Sequence, residues 1–453
     1  MRYQWQKNGA NIANATNSAF TIVNVQSADA GSYHVLVLND FSFVTSSDAT
    51  LTVLLGPTKF QSASLNPDTS INTTWATDGS STYTLQYKNN LTDPTWTPIT
   101  GYIANGPTLT MTDGPFTNSQ RFYQLASAQH ASDIVGVMNF PLLGNSDNFV
   151  SLPLLRGPSL LANVSSVSGN IITVVGSPLT TAQFVYSANV QSNTYYVRFI
   201  SGAIAGRIYP VTDNTANTLT VNLSSDSLAS VGQYDQLSVE PYWTFGSVFP
   251  NGAGVNISPT KGNRNSEVLL LDPSIGGVNL SASKVYFFHA GIWKQVGQGD
   301  VDHDDDILTP STHFIIRHNV ATNTTLTLTG LVQNNPLAIP LQSSTTNQQD
   351  NCIGLAWPAP LTLNNSQLIS SGAFTPSPLP GTRTDELLTF DNTVAQKNKS
   401  SSAVYFYWSG AWRRVGSGST DVGDTAVFQP GTGVIIRKGT NSPAAVWTTT
   451  PNW

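Results

Sequence analysis

What most constrains this chain is a two-residue rhythm of apolar and polar side chains that recurs along most of its length. "AFTIVNV", "YHVLVL", "ATLTVLL", "YTLQY", "IITVV", "TLTVNL", "TLTLTG" and "GVIIRK" all carry it. A period of two puts successive side chains on opposite faces of a strand, whereas a helix needs apolar residues three and four apart. No stretch of a dozen residues has the helical spacing. The runs are rich in Val, Thr, Tyr, Phe and Ile, with Gly, Asn, Pro and Asp between them. The expected fold class is all-β, with tandem sandwich or barrel modules. At 453 residues the chain is long enough for three to five of them.

The polarity of this chain is mostly uncharged. Charged residues make up 10%, against about 25% in an ordinary soluble protein. Ser, Thr and Asn take their place, as in many secreted bacterial β-proteins and fibres. The net charge is −6 and no Lys/Arg stripe occurs, so nucleic acid is excluded as a partner. The longest apolar runs are strand-sized, well short of the roughly 18 residues of a membrane span. A lone cysteine, Cys352, allows no internal disulfide. It reads as a small buried hydrophobe and fits a bacterial exported protein or a cytosolic one.

Five segments follow. In residues 1–55, "YQWQKNGANIANATNSAFTIVNVQSADAGSYHVLVLN" places Trp5 early on a strand and Tyr33 after an "Asp-Ala-Gly-Ser" loop. These features resemble the immunoglobulin fold, closest to bacterial Ig-like repeats. Trp5 matches the core tryptophan, Tyr33 the corner tyrosine, and Val35 stands where a core cysteine would be. The strands expected before Trp5 are missing. Either the sequence is an N-terminally shortened form of a longer exported protein, or a partner chain supplies the strands. In residues 57–128, Trp75, the Tyr83–Tyr87 strand, Trp96 after "LTDP" and "RFYQL" resemble a fibronectin type III-like module, which implies a spacer or adhesive bead. Residues 133–252, entered through "ASAQHASDIVG", read as a separate barrel or sandwich.

The last two segments, 253–338 and 339–453, are copies of one unit. "VYFFHAGIWKQVGQGDVDHDD" (285–305) aligns with "VYFYWSGAWRRVGSGSTDVGD" (404–424) at an offset of 119. Arg264, Glu267, Leu269 and Asp272 pair with Arg383, Glu386, Leu388 and Asp391. After one inserted residue, Ile315, Ile316 and Arg317 pair with Ile435, Ile436 and Arg437. From residue 133 onward, the "TYYVRFISGAIAGRIYPV" run, the "EPYWTFGSVFP" run and the repeated "VYFF" unit resemble an uncharacterised family of exported proteins known mainly from Verrucomicrobia and related bacteria. That resemblance implies an extracellular or surface compartment and this architecture, and no reaction.

Chemistry is sparse. The histidines are His34, His130, His289, His303, His313 and His318. In the second copy Trp408, Val422, Gly433 and Lys438 replace the last four, so the fold does not require them. No metalloprotease, hydrolase-elbow, phosphate-loop or paired-cysteine motif occurs, and no enzymatic activity is expected. The densest charge is "GDVDHDDDILTP". Asp300, Asp302 and Asp304 alternate as loop ligands of Ca²⁺ do, although Asp305 and Ser311 break the EF-hand pattern. The run is either a solvated hairpin tip or a calcium site, and no other cofactor is indicated. The charges kept in both copies (Arg264, Glu267, Asp272 and Arg317 in the first) are expected to form partly buried ion pairs. Losing one partner of such a pair costs about 3–5 kcal/mol. Trp293 and Trp412 recur with strand periodicity and are expected in the cores, while exposed Trp or Tyr would stack on sugars.

An incomplete sandwich leaves an apolar face and unpaired edges. The expected role is a non-catalytic extracellular subunit that assembles with itself into a bacterial surface filament, sheath or layer, or an adhesive stalk. The assembly residues would be Trp5 and Tyr33 at the open sandwich and Val446, Trp447 and Trp453 on a donor strand, "SPAAVWTTTPNW". That strand would alternatively close the second copy. The competing role is binding of surface polysaccharide.

Overall fold

The computed structural model describes all residues except 23–28, 52–58, 67, 69, 78–81, 104–105, 116–117, 128–130, 189, 273 and 452–453. Every named strand pairing is antiparallel, and the one α-helix among the described residues is a single turn, Phe245–Val248, capped by Thr244. The chain is all-β, as its alternation requires. No helix among the described residues is long and apolar enough to cross a membrane.

The N-terminal unit is one sheet of Arg2–Lys7, Ala10–Asn11, Gly31–Leu38, Phe43–Thr45 and Ala49–Leu51. The next unit is a two-sheet sandwich. Lys59–Leu65, Ile71–Ala76 and Thr108–Asp113 form one sheet. Thr82–Lys88, Thr97–Ile103 and Gln120–Ala126 begin the other. In Ile71–Ala76 the alternation sends Ile71, Thr73 and Trp75 inward onto Tyr83, Leu85, Tyr123 and Leu125.

That second sheet does not end within its module. Val135–Leu142 pairs on one side with Gln120–Ala126 and on the other with Thr324–Leu331 of the first repeat copy. Its first four residues are all buried, so it shows no alternation. The sequence reading placed a linker and a new module here. The strand pairing gives a single strand common to two modules, so these units are not beads on a string.

The two repeat copies have the same topology. The first builds a five-stranded sheet in the order Asp147–Val150, Phe314–His318, Ser266–Leu271, Ala282–His289, Ile292–Gln295. The second repeats it with Gln349–Ile353, Val434–Lys438, Glu386–Thr389, Ala403–Trp408, Ala411–Arg414. Both hairpins turn through two residues with positive φ, Ala290-Gly291 and Ser409-Gly410, the tight turn that matches strand twist. Trp293 and Trp412 follow these turns and are 1% and 2% exposed. Trp293 packs on Phe245 and Phe249, and Trp412 on Phe374 and Tyr407.

A closed six-stranded barrel lies between Val150 and Trp243, made of Leu160–Ser168, Ile171–Val174, Tyr195–Phe199, Ile208–Asn214, Thr218–Val221 and Gln236–Pro241. It is an insertion in the first copy. The first copy therefore starts at Val135, ahead of the barrel, and not at 253; of the separate unit expected over 133–252 only the barrel strands, within 160–241, stand apart from it. The second copy runs from Leu337 to Thr449. In the barrel, Val197, Phe199, Leu237 and Val239 fill the interior. Arg198, Tyr196, Ser238 and Glu240 face outward and are nonetheless buried. Arg198 and Tyr196 both bond Glu240, and Ser238 Oγ donates to it at 2.6 Å. At Gly206, with φ at +88°, a Cβ would lie 2.7 Å from the Ala338 nitrogen. The barrel thus docks on the first strand of the second copy.

Candidate functional site

In a chain so poor in charge, the placement of charge identifies the built sites. Asp147 is the first residue and Asp350 the second of a short strand, and they are 2% and 0% exposed. Arg317 lies opposite Asp147, with Nε donating to Oδ1 at 2.6 Å and Nη2 to Oδ2 at 2.8 Å. Arg437 grips Asp350 in the same way, at 2.7 and 3.0 Å. Each carboxylate holds its guanidinium above the ordinary value, and such two-pronged pairs fix geometry as well as adding energy.

The copies then exchange loops around these pairs. Asn398 of the second copy donates its N–H to Asp147 Oδ2 at 2.7 Å and accepts from Arg317 Nη2 at 2.7 Å. Asn279 of the first copy donates its N–H to Asp350 Oδ2 at 2.7 Å and accepts from Arg437 Nη2 at 3.3 Å. Both asparagines have φ near +50°, a conformation in which Asn is enriched. Phe149 and Phe390 stack between the two clasps, with ring centroids 3.8 Å apart. The neighbouring asparagines are alike too. Asn148 closes on the Leu143 backbone and Asn351 on the Gln342 backbone. The copies are thus joined by one clasp used twice, an intrachain analogue of a two-fold dimer. A cavity of about 440 Å³ lies between the clasps, walled by Leu269, Leu271, Ile315 and Ile435.

The ion pairs expected from the sequence are partly these. Arg264 bonds Glu267 at 2.6 Å and Arg383 bonds Glu386. Asp272 and Asp391 instead accept from Ser274 and Thr393 in turns. Asp147 and Asp350 escaped the sequence reading. The signal was an "Asp-Asn" recurring 203 residues on, where the rest of the unit recurs after 119; the difference, 84, is the inserted barrel.

The aspartate run has divided roles. Asp300 is held by Lys261 and Lys294, whose bonds pull its carboxyl down to about 2. Asp302 accepts from the Asp304 N–H and Asp304 from the Trp293 N–H. Asp306 accepts from Tyr286 and contacts His303. Burial raises the Asp304 carboxyl. The lysines do for Asp300 what a cation would, and no group of three or more metal-type ligands is found among the described residues. Asp302, Asp304, Asp305 and Asp306 instead line a cleft of about 570 Å³ together with Lys284, Tyr286 and the exposed ring of Tyr186.

The described histidines are dispersed. His34 bonds Asp48 and Gln6, and His289 bonds the Ser258 carbonyl. His313 contacts the Ile353 and Val434 carbonyls, and His318 bonds Ser266 and Thr324. Burial lowers His313 and His318 to about 4. His130 lies outside the described residues. Burial also pushes the Cys352 thiol up to about 12, far from a reactive thiolate at neutral pH.

Of the residues expected to act in assembly, Tyr33 is buried and its hydroxyl donates to the Asp29 carbonyl at 2.5 Å. Trp5 is half-buried, packs on Phe20 and donates to the Asn17 carbonyl. Val446 and Trp447 sit on Ala445–Thr449, which pairs along its length with Leu337–Leu341. Trp447 is fully buried against Phe428 and donates to the Ser366 carbonyl. That strand closes its own copy, so the donor role expected for it is taken up within the chain. Trp453 lies outside the described residues. No protein-family model matches the chain, and no curated protein matches it.

Proposed function

We propose that this chain is a non-catalytic extracellular structural protein that assembles with its own copies into a bacterial surface filament, sheath or layer, or serves as an adhesive stalk. The observation that carries this reading is the fusion of successive modules. A sheet that runs unbroken through two modules and a clasp used twice make one stiff body from parts that ordinarily hinge. The buried aspartates Asp147 and Asp350 serve that junction. Scarcity of charge and the absence of any disulfide fit an exported bacterial β-protein. Size-exclusion chromatography with negative-stain microscopy of the whole chain tests it. Regular polymers are expected, and a monodisperse monomer at every concentration would remove the reading.

The second reading, polysaccharide binding, is favoured by the tyrosine-rimmed acidic cleft. The Tyr186 ring is 45% exposed beside carboxylates that can accept from sugar hydroxyls. A glycan array should then show a defined preference that Tyr186→Ala abolishes. A structural subunit alone would give a blank array.

A further inference from the structure

The strand Thr324–Leu331 ends its sheet. Its inner side faces the shared strand, whose pairing runs from Val135↔Leu331 to Leu142↔Thr324. Leu331 turns its N–H and C=O the other way, to Leu155. In an antiparallel ladder alternate residues point to the same side, so Thr325, Thr327 and Thr329 also direct their main-chain groups outward. No strand pairs with them among the described residues. They open into a groove of about 680 Å³ between this edge and Lys59–Leu65, the edge of the facing sheet. Leu326, Leu328 and Val248 floor it, and Phe60, Leu65 and Trp243 wall it. Its one charged lining residue is Arg156, which bonds the Asn193 side chain and the Tyr242 carbonyl and meets no carboxylate among the described residues.

The complementary shape lies on the N-terminal sheet. The hairpin joining Gly31–Leu38 to Phe43–Thr45 exposes Phe41 at 97%, Phe43 at 65% and Val44 at 68%. Phe41 lies in the turn next to Asp40, and Phe43 begins the outer strand two residues on. Among the described residues Asp40 is held only by the exposed Arg2, a contact of little strength. Free apolar edges of this kind are ordinarily blunted or covered.

We propose that the hairpin Leu38–Thr45 of a second copy of this chain inserts into the groove, adding a strand to the Thr325–Thr329 edge. Phe41 and Phe43 fill the apolar floor, and Asp40 meets Arg156. The fit is of an apolar hairpin to an uncharged threonine edge, with its one acid opposite the one charged residue lining the groove. Because hairpin and groove are different surfaces, a copy that gives its hairpin still has its groove and the copy that receives it still has its hairpin, so the contact propagates head to tail instead of closing as a dimer. This rests on the reading of the chain as a self-assembling subunit and names its contact.

The test uses whole chains carrying either Phe41→Cys or Thr327→Cys; Cys352 is 3% exposed and stays silent. Under mild oxidation a mixture of the two should give a disulfide-linked dimer at least tenfold above either alone. Phe41→Asp, which alters an exposed side chain and leaves the fold intact, should raise the concentration needed for polymer at least tenfold. If the unsubstituted chain polymerises and Phe41→Asp polymerises equally, this contact is wrong while self-assembly stands. If the unsubstituted chain never polymerises, both fall. A chain carrying both cysteines that closes the bond within itself would also overturn the second copy as occupant.

Discussion

The two repeat copies are one fold built with two chemistries at the same point. In the first, Ser266 Oγ and His318 Nδ1 share a hydrogen bond of 2.7 Å, and both residues are buried. In the second, the equivalent residues are Asp385 and Lys438, an ion pair with both side chains at 0% exposure. Asp385 also accepts from Ser442 Oγ, the Gly439 N–H and the Thr375 N–H, and Lys438 donates to the Ala373 carbonyl. The clasp, the strand order and the tryptophans do not change between the copies. What defines the unit is therefore its frame of strands and its junction, while this interior position admits either a neutral or a charged solution provided every polar group is satisfied.

The comparison breaks most sharply at Asp385. Asp385→Ala leaves a buried ammonium without its carboxylate and should cost about 3–5 kcal/mol in urea unfolding. The matching Ser266→Ala removes one neutral bond and should cost about 1 kcal/mol. Equal losses would mean that the charged site is not what holds the second copy. Moving the neutral pair across, as Asp385→Ser with Lys438→His, should recover most of the loss of Asp385→Ala.

The clasps give the next largest effect. Arg317→Met and Arg437→Met each strip charged hydrogen bonds from a buried aspartate. They should destabilise by about 2–3 kcal/mol each, read from the urea midpoint, and by similar amounts because the geometry is repeated. A large inequality would show that the two junctions are not equivalent.

Acid should separate the copies. His313 and His318 belong to the first copy, where burial lowers both to about 4; the second copy has Gly433 and Lys438 at these places. A histidine whose folded value is depressed binds its proton more readily when unfolded. Its contribution is therefore complete above the ordinary 6.5 and is lost as pH falls toward 4. Hydrogen exchange compared at pH 7 and 4.5, corrected for intrinsic rate, should show protection of Phe314–His318 falling more than that of Val434–Lys438. The smallest effect belongs to the solvated pair Lys261–Asp300. Lys261→Ala should leave the urea midpoint essentially where it is in the same measurement.

Much of this was legible in the sequence wherever the relevant contact is local. The alternation in Ile71–Ala76 foretells its buried face residue by residue. The repeat offset matches the strands through the "HAGIW" and "WSGAW" turns to the tryptophans. The single cysteine is buried, as its type suggests. The junctions were not legible, because they join residues far apart along the chain. Asp147 lies 170 residues from Arg317, and the barrel between them shifts the offset that would have exposed the repeat. The shared strand was hidden by its own burial. A strand covered on both faces loses the period-two signal, and "VGVM" says little about whom it pairs with. The partners of the aspartate run were not legible either, since nothing in its alternation shows that Lys261 and Lys294 bond Asp300 or that the Trp293 N–H donates to Asp304.

The strand common to two modules sets a rule for recombination. Ordinary tandem modules can be shuffled between genes at the linker, each leaving with its core whole. Here any exchange point between Ala126 and Leu160 deprives one neighbour of Val135–Leu142 or splits the first copy from the barrel it encloses. Lineages carrying these two units should inherit them together or lose them together, and an engineered chimera must take both.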